Sequence, residues 1–233
     1  MTSQGTVAAE SITGARRQLA ERGWTIIHGA GFTDGAEVDL DAVRRIACHF
    51  GIPSSRDGGR DVWPVRPLTS DAAETFSQRS GEALLHTDAA YRPVPEPRFG
   101  LFCVRPADDG GLSRLLTATD AIRDLDSDVA DELRRSQWRW LPPRVFGGQP
   151  DESRAVLRPV GAIRWRYDNL ALTAEQRPPA AAFAEHVDTH PRVVQLPLPA
   201  DSVVVCDNER VLHGRTTFTD RARYLLRVRM VDR

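Results

Sequence analysis

The feature that most constrains the fold is a succession of four short β-prone segments within residues 192–231. They read RVVQLPL, SVVVCDN, RVLHGRTTF and RYLLRVRMV, and turn-forming residues separate them. A doubly wound α/β sheet needs a helix between successive strands, and this region has none. The pattern therefore favours antiparallel strands in a closed or double-sheet β architecture.

The remainder of the chain adds helices and further strands to this β-rich region. Helices are predicted over 8–22 with a stop at Gly23, over 39–49, over 119–135 as one helix or a pair with Thr119 or Asp120 as N-cap, and around 173–188. Strands are predicted over 24–29, 99–104 and 112–118, the last two paired through an ADDGG turn at 107–111. We expect one domain over residues 1–233, mainly β with flanking helices: a double-stranded β-helix, that is, a cupin-like jelly roll.

Charge and cysteine content exclude several classes of protein. The 31 basic residues, all arginine, nearly balance 32 acidic ones, so nucleic acid and anionic membranes are not expected partners. No apolar run is long enough to span a membrane, and the N-terminal segment has no signal-peptide pattern. The three cysteines, Cys48, Cys103 and Cys206, are too scattered for a disulfide framework, which favours a reducing, intracellular setting.

The segment LLHTDAAYRP contains the first candidate metal ligands, His86 and Asp88. Side chains two residues apart on an extended strand project to the same face. By itself an H-x-D is a weak signal, because most isolated histidines are ordinary core or surface residues.

A third candidate ligand, His213, lies on a predicted strand in DNERVLHGRTTF, 127 residues after His86. Two histidines and one carboxylate form the facial triad of non-haem iron(II) oxygenases, which leaves coordination positions open for cosubstrate and dioxygen. The interpretation requires a fold that brings distant strands together, as a jelly roll does.

A run of arginines follows His213. Arg223 lies ten residues after His213, and a hairpin of that length would place it on a neighbouring strand near the metal. Arg223, Arg227 and Arg229 share one face of an ideal strand. A guanidinium binds a carboxylate through two parallel hydrogen bonds, so Arg223 and Arg227 can anchor a dicarboxylate, whereas Arg229 lies nearer the chain end. The alternative is an edge strand protected by charge.

Taken together, HTD…GGLS…DNERVLHGRTTF…RYLLR resembles the taurine dioxygenase-like (TauD/TfdA) family of Fe(II)/2-oxoglutarate-dependent oxygenases. The resemblance is most specific over residues 84–117 and 200–231. It implies that His86, Asp88 and His213 bind iron, that Arg223 clasps the far carboxylate of 2-oxoglutarate with Arg227 as the second arginine, and that Ser113 touches the same carboxylate. Related halogenases have a small residue at the position of Asp88, so halogenation is not expected.

The resemblance also implies the chemistry. Fe(II), 2-oxoglutarate and dioxygen would oxidise a C–H bond of a small molecule, by default through hydroxylation, with succinate and CO2 as coproducts. Candidate substrate contacts lie in the loops around the motifs: Gln78, Arg79, Tyr91, Arg92, Arg166, Tyr167, Asp168 and Arg215. Their many arginines favour a carboxylate-bearing substrate, such as a free or carrier-tethered amino acid in specialised metabolism.

Alternatives remain open at this point. The same cofactors support desaturation, epoxidation or cyclisation. A cupin-like metalloenzyme that uses no 2-oxoglutarate, or a catalytically inactive binding protein on this scaffold, would share the same pattern. The residues do not identify the substrate, the oxidised carbon or the oligomeric state, and a homo-oligomer stays open.

Overall fold

A computed structural model describes residues 9–35, 37–56, 59–68, 76–143 and 152–233 of the chain. The helices are α1 (Ala9–Arg22), α2 (Leu40–Cys48), α3 (Ala118–Arg123), α4 (Ser127–Arg134) and α5 (Arg177–Asp188). The strands are β1 (Trp24–Ile27), β2 (Ile52–Pro53), β3 (Trp63–Val65), β4 (Ala83–His86), β5 (Arg98–Arg105), β6 (Ser113–Thr117), β7 (Leu157–Arg158), β8 (Ala162–Ile163), β9 (Val194–Leu196), β10 (Ser202–Asp207), β11 (Val211–Arg215) and β12 (Tyr224–Val231).

Two antiparallel sheets form the centre of the described structure. The larger has the order β1-β10-β5-β12-β2, with β3 also paired to β12, and the smaller has the order β4-β11-β6-β9. Strands that are distant in sequence are neighbours in both sheets. The jelly-roll prediction is confirmed, and so are the four C-terminal strands.

Three apolar layers account for this arrangement. A central layer between the sheets contains side chains such as Phe99, Leu115 and Leu225. Helices α1 and α2 cover the outer face of the large sheet through a second cluster, which includes Val43 and Met230. Helices α3, α4 and α5 cover the small sheet through a third cluster. Each sheet therefore buries apolar side chains on both faces.

The local sequence explains where the helices begin and end. Helix α1 ends before Gly23, which has a φ of 81° and so adopts the left-handed conformation that terminates helices at low cost. Asp39 caps α2 by accepting hydrogen bonds from the amides of Asp41 and Ala42, both at 2.9 Å. No described helix has the length and apolar character needed to cross a membrane.

The predicted hairpin between 99–104 and 112–118 is wrong. Strand β5 pairs with β10 and β12 in the large sheet, whereas β6 pairs with β11 and β9 in the small one. The glycine turn between them carries the chain across the sandwich. Gly110 and Gly111 both have a φ of 64°, and a Cβ at Gly110 would lie 2.1 Å from the Thr217 carbonyl oxygen.

Other local predictions need correction too. The 119–135 region is a helix pair, but Thr117 caps α3 and Asp126 caps α4. The alternative of a charge-protected edge strand, left open above, does not apply to β12, because this strand has partners on both sides. Nor does a hairpin pair β12 with β11, because these strands belong to opposite sheets. The sequence also predicts an irregular segment over 138–150, and part of it lies outside the described residues.

Gly214 separates His213 from Arg215 on β11, and a Cβ there would lie 2.5 Å from the Ala83 carbonyl oxygen of β4. We expect Gly214→Ala to destabilise the protein by about 1–3 kcal/mol, because the two strands would have to move apart. Thermal or urea unfolding measures this.

Gly14→Ala is the matched control, since Gly14 lies within α1 and nothing within 4 Å would contact its Cβ. It should stabilise the protein by about 0.5–1 kcal/mol through helix propensity alone. Equal effects of the two substitutions would contradict the close approach of β4 and β11.

Candidate active site

His86 and His213 face each other across two neighbouring strands. They are direct partners in the antiparallel pairing of β4 with β11. Their ring centroids lie 4.2 Å apart, and the Phe99 ring of the large sheet lies 4.3 Å from His213. Strand pairing thus brings together two residues that are 127 positions apart in the sequence.

Asp88 completes the cluster from just beyond the end of β4. Its Oδ1 lies 3.9 Å from the Nε2 atoms of both His86 and His213. Candidate ligand atoms of the three buried residues all lie within 4.8 Å of one another. The premise that the whole H-x-D is extended strand is only half right, because β4 ends at His86 and Asp88 lies in a turn.

Two neighbours fix this turn. The Thr87 amide donates to the Trp165 carbonyl at 2.6 Å, and the Trp165 amide donates to the Thr87 hydroxyl at 3.0 Å. The Asp88 amide donates to Asn208 Oδ1 at 2.7 Å, and Asn208 Nδ2 donates back to the Asp88 carbonyl at 3.0 Å. Thr87 is therefore held away from the cluster while Asp88 is held within it.

The protonation of the histidines suits metal binding. The ring Nδ1 of His86 lies 2.7 Å from the Leu84 carbonyl oxygen, which can only accept, so this nitrogen carries the proton. Nε2 of a neutral His86 ring then presents a lone pair towards Asp88. Burial is the main cause that holds the pKa of His86 well below its usual range, and the neighbouring His213 and Arg166 lower it further.

His213 is in a similar environment. Burial is the main cause that lowers its pKa to about 4, with Arg227 and Arg166 lowering it further and the Asp88 carboxylate acting in the opposite direction. At neutral pH two uncharged imidazoles and one carboxylate face one point. This donor set fits a divalent transition metal such as iron.

A cleft beside the histidines is rich in positive charge. Its described lining is Val65, Ser77, Ala83, His86, Leu101, Ser113, His213, Gly214, Arg215, Arg223, Leu225 and Arg227. Three of these residues are arginines and none is acidic. The cleft can therefore bind an anion next to the candidate metal ligands.

Arg223 is the arginine of this cleft that is best suited to bind an added anion. It is buried, and its guanidinium lies 5.0 Å from the Phe218 ring centroid. No carboxylate in the described part of the chain pairs with it. Burial lowers its pKa to about 10, which still leaves it charged at neutral pH. Ser113, at the start of β6, is buried in the same cleft.

Arg215 and Arg227 have partners within the protein. Arg215 donates to the backbone carbonyls of Arg79 and Gly81, and so ties the loop before β4 to β11. Arg227 Nη1 lies 3.4 Å from Asp88 Oδ2. Arg227 therefore borders both the cleft and the metal cluster.

The remaining predicted substrate contacts divide into two groups. Arg166 is buried, donates to Asp168 at 3.1 Å and lies close enough to lower the pKa of both cluster histidines. Tyr91 and Tyr167 pack in or against the apolar cluster outside the small sheet.

The other three predicted contacts lie before and after β4 in the chain. Arg92 is partly buried with its guanidinium 5.7 Å from the Tyr91 ring centroid. Gln78 ends a short 3-10 turn and is half-buried, and Arg79 after it is exposed. Among these six residues and Asp168, the structure thus connects Arg166 directly with the cluster histidines, and Asp168 through its pairing with Arg166.

Sequence reasoning missed two residues that contact Asp88. Asn208 binds its backbone, and Arg229 Nε donates to its Oδ2 at 3.0 Å. The alternation along β12 places Arg229 on the same face as Arg227, which was the available signal. Nothing in the sequence indicates that Asn208 reaches Asp88.

The chain is similar to proteins of a known family. A model of the family described as "Taurine catabolism dioxygenase TauD, TfdA family" matches residues 4–229. A search of curated proteins gave no match.

Solved structures share the fold. One is an asparagine oxygenase in complex with Fe(II), 2S,3S-3-hydroxyasparagine and succinate, with TM-score 0.79 and 21% identity over 95% of this chain and 78% of that one. Another is the non-haem iron oxygenase OrfP with Fe and alpha-ketoglutaric acid, with TM-score 0.77 and 17% identity over 97% and 81%.

The buried histidines make the stability of the metal-free protein depend on pH. Because their pKa values are lowered in the folded state, the unfolded state binds more protons below the ordinary value of 6.5. Stability should therefore be greatest above pH 6.5 and fall as the pH is lowered towards 4, the folded pKa of His213.

Urea unfolding of the metal-free protein across this range measures the slope. His213→Gln removes one of the two titrating groups, so its stability should fall less steeply with decreasing pH than that of the wild type. Identical slopes in the two proteins would contradict the neutral, buried state of His213.

Proposed function

The chain belongs to the taurine dioxygenase-like (TauD/TfdA) family, and from that premise we propose that it is an Fe(II)- and 2-oxoglutarate-dependent oxygenase acting on a small molecule. The observation that carries the proposal is the buried His86, Asp88 and His213 cluster beside an arginine-lined cleft. The whole chain is one oxygenase domain in this proposal. Its three cysteines are free thiols, which supports a cytoplasmic location.

The three cluster residues would hold the iron, the neutral histidines through Nε2 and the aspartate through Oδ1. When bound, Fe(II) with 2-oxoglutarate and dioxygen supplies the oxidation of a substrate C–H bond to an alcohol, with succinate and CO2 as coproducts. The protein residues fix the geometry and keep water from the site, since the ligands are each less than a tenth exposed.

The cleft would hold 2-oxoglutarate, and Arg223 and Ser113 would bind its far carboxylate. A guanidinium buried without a carboxylate partner is costly, and a bound dicarboxylate offsets that cost. Arg227 contributes positive charge at the boundary between cleft and cluster.

The substrate is a carboxylate-bearing molecule such as an amino acid, free or carrier-tethered, and hydroxylation is the expected outcome. Arg166 and Arg227 both lie near the histidines, and their charges favour an anionic group on the substrate. Asp168, paired with Arg166, is available for a basic group. The related structures with hydroxylated asparagine and (3S)-hydroxy-L-Arg support amino acids as the first compounds to test.

Purified protein with Fe(II), 2-oxoglutarate and a panel of amino acids should form succinate in a substrate-dependent way. Mass spectrometry should detect a product that has gained one oxygen atom; loss of two hydrogen atoms would indicate desaturation. His86→Ala, Asp88→Ala and His213→Ala should each abolish succinate formation.

His186→Ala is the control, because His186 lies on α5 and its ring contacts the Ala121 carbonyl oxygen, away from the cluster. It should retain succinate formation. Full activity of Asp88→Ala would show that the ligand assignment is wrong.

The two arginines of the cleft can be separated by their effects on 2-oxoglutarate. Arg223→Met should weaken 2-oxoglutarate binding about 10- to 100-fold, because it removes charge-assisted hydrogen bonds to a carboxylate. Arg227→Met should have the smaller effect, since Arg227 is already engaged with Asp88. Isothermal titration measures both, and a larger loss for Arg227→Met would reverse their roles.

A further inference from the structure

The two carboxylate oxygens of Asp88 have different surroundings. Oδ1 lies 3.9 Å from the Nε2 atoms of both histidines. Oδ2 points to the opposite side, 3.0 Å from Arg229 Nε and 3.4 Å from Arg227 Nη1. One oxygen therefore faces the candidate metal position and the other faces guanidinium groups.

Arg229 is buried beside Asp88 and lies outside the arginine-rich cleft. It lies on β12 opposite Phe99, the residue that packs against His213, and its residue exposure is 8%. It does not line the arginine-rich cleft, whereas Arg227 does. A ligand in the cleft would therefore contact Arg227 and leave Arg229 in place.

The backbone of Asp88 is fixed independently. Asn208 binds its amide and its carbonyl, and also donates to the Glu96 carbonyl at 2.9 Å. With the backbone held, the carboxylate can change mainly by rotating about its side-chain bonds. A donor at Oδ2 is what restricts that rotation.

We propose that Arg229 is a positioning residue that engages Oδ2 of Asp88 and so presents Oδ1 alone to the metal. The inference rests on the proposed function. A carboxylate that binds through both oxygens would occupy a coordination position that 2-oxoglutarate needs. Arg229 keeps that position open, and it does so without contacting either the metal or the substrate.

Co(II) is the probe, because its visible spectrum reports coordination number and its binding needs no turnover. Arg229→Met removes the hydrogen-bond donor to Oδ2 while filling a similar volume. Only the longer contact with Arg227, at 3.4 Å, then remains to keep Oδ2 from the metal. We expect a changed Co(II) spectrum and about 10-fold weaker 2-oxoglutarate binding to the Co(II)-loaded protein, as for other residues that orient metal ligands. Arg229→Lys keeps a cationic donor and should restore most of both properties.

Arg114→Met is the matched control. Arg114 is an equally buried arginine on β6 with two carboxylate partners, Glu82 and Asp188, both at 2.6 Å. Its substitution should lower the melting temperature while the Co(II) spectrum and 2-oxoglutarate affinity stay as in the wild type.

The outcomes separate the two proposals. If the wild type binds no Co(II), the proposed function itself is wrong. If the wild type binds Co(II) and Arg229→Met has the same spectrum and 2-oxoglutarate affinity, the function stands and the role of Arg229 is overturned.

If Arg229→Met does not fold, a crystal structure of the wild type tests the inference instead. In a crystal structure of the wild type with Mn(II), Asp88 bound through one oxygen with Arg229 on the other supports the inference. Asp88 bound through both oxygens overturns it.

Discussion

The arrangement of the site depends on one pairing, that of β4 with β11. In an antiparallel pair, residues directly opposite each other lie within about 6 Å at their Cα atoms, so the register alone brings His86 and His213 together. Phe99 of the large sheet packs against His213, so the central apolar layer also supports the pair. Asp88 joins the two histidines because the chain turns immediately after β4, and Asn208 binds the Asp88 backbone in that turn. A shift of one residue in this register would move a histidine to the other face and lose the cluster.

The interior of the sandwich is unusual in its charge. Arg215, Arg223 and Arg229 are all buried, and burial lowers their pKa values to about 9, 10 and 10. The three guanidinium groups differ in their partners. Arg215 donates to backbone carbonyls and Arg229 donates to Asp88, whereas Arg223 pairs with no carboxylate among the described residues. This division matches the loop anchoring by Arg215 and the roles proposed above for Arg229 in ligand positioning and Arg223 in anion binding.

Much of this could be predicted from the sequence because the relevant signals are local. Period-two alternation predicted the C-terminal strands, and it correctly placed Arg223, Leu225 and Arg227 on one face. Helix α2 was predicted from apolar spacing, and its buried residues Val43, Ile46 and Ala47 confirm it. The pairing of the strands was harder to predict, because β-propensity indicates that a segment is extended but does not indicate which strand it pairs with. The supposed hairpin of β5 with β6 failed for this reason, as did the supposed proximity of β11 and β12 within one sheet.

The sequence by itself determined the type of fold, the family and the identity of the candidate metal ligands, because those depend on residue type, alternation and motif spacing. The tertiary structure decided how the ligands are held. Only the folded chain places Asn208 at the Asp88 backbone, Arg229 at its Oδ2 and Arg215 at the loop before β4. The physical reason is distance along the chain: these contacts join residues more than 100 positions apart, and they form only after two sheets have packed around a shared apolar layer.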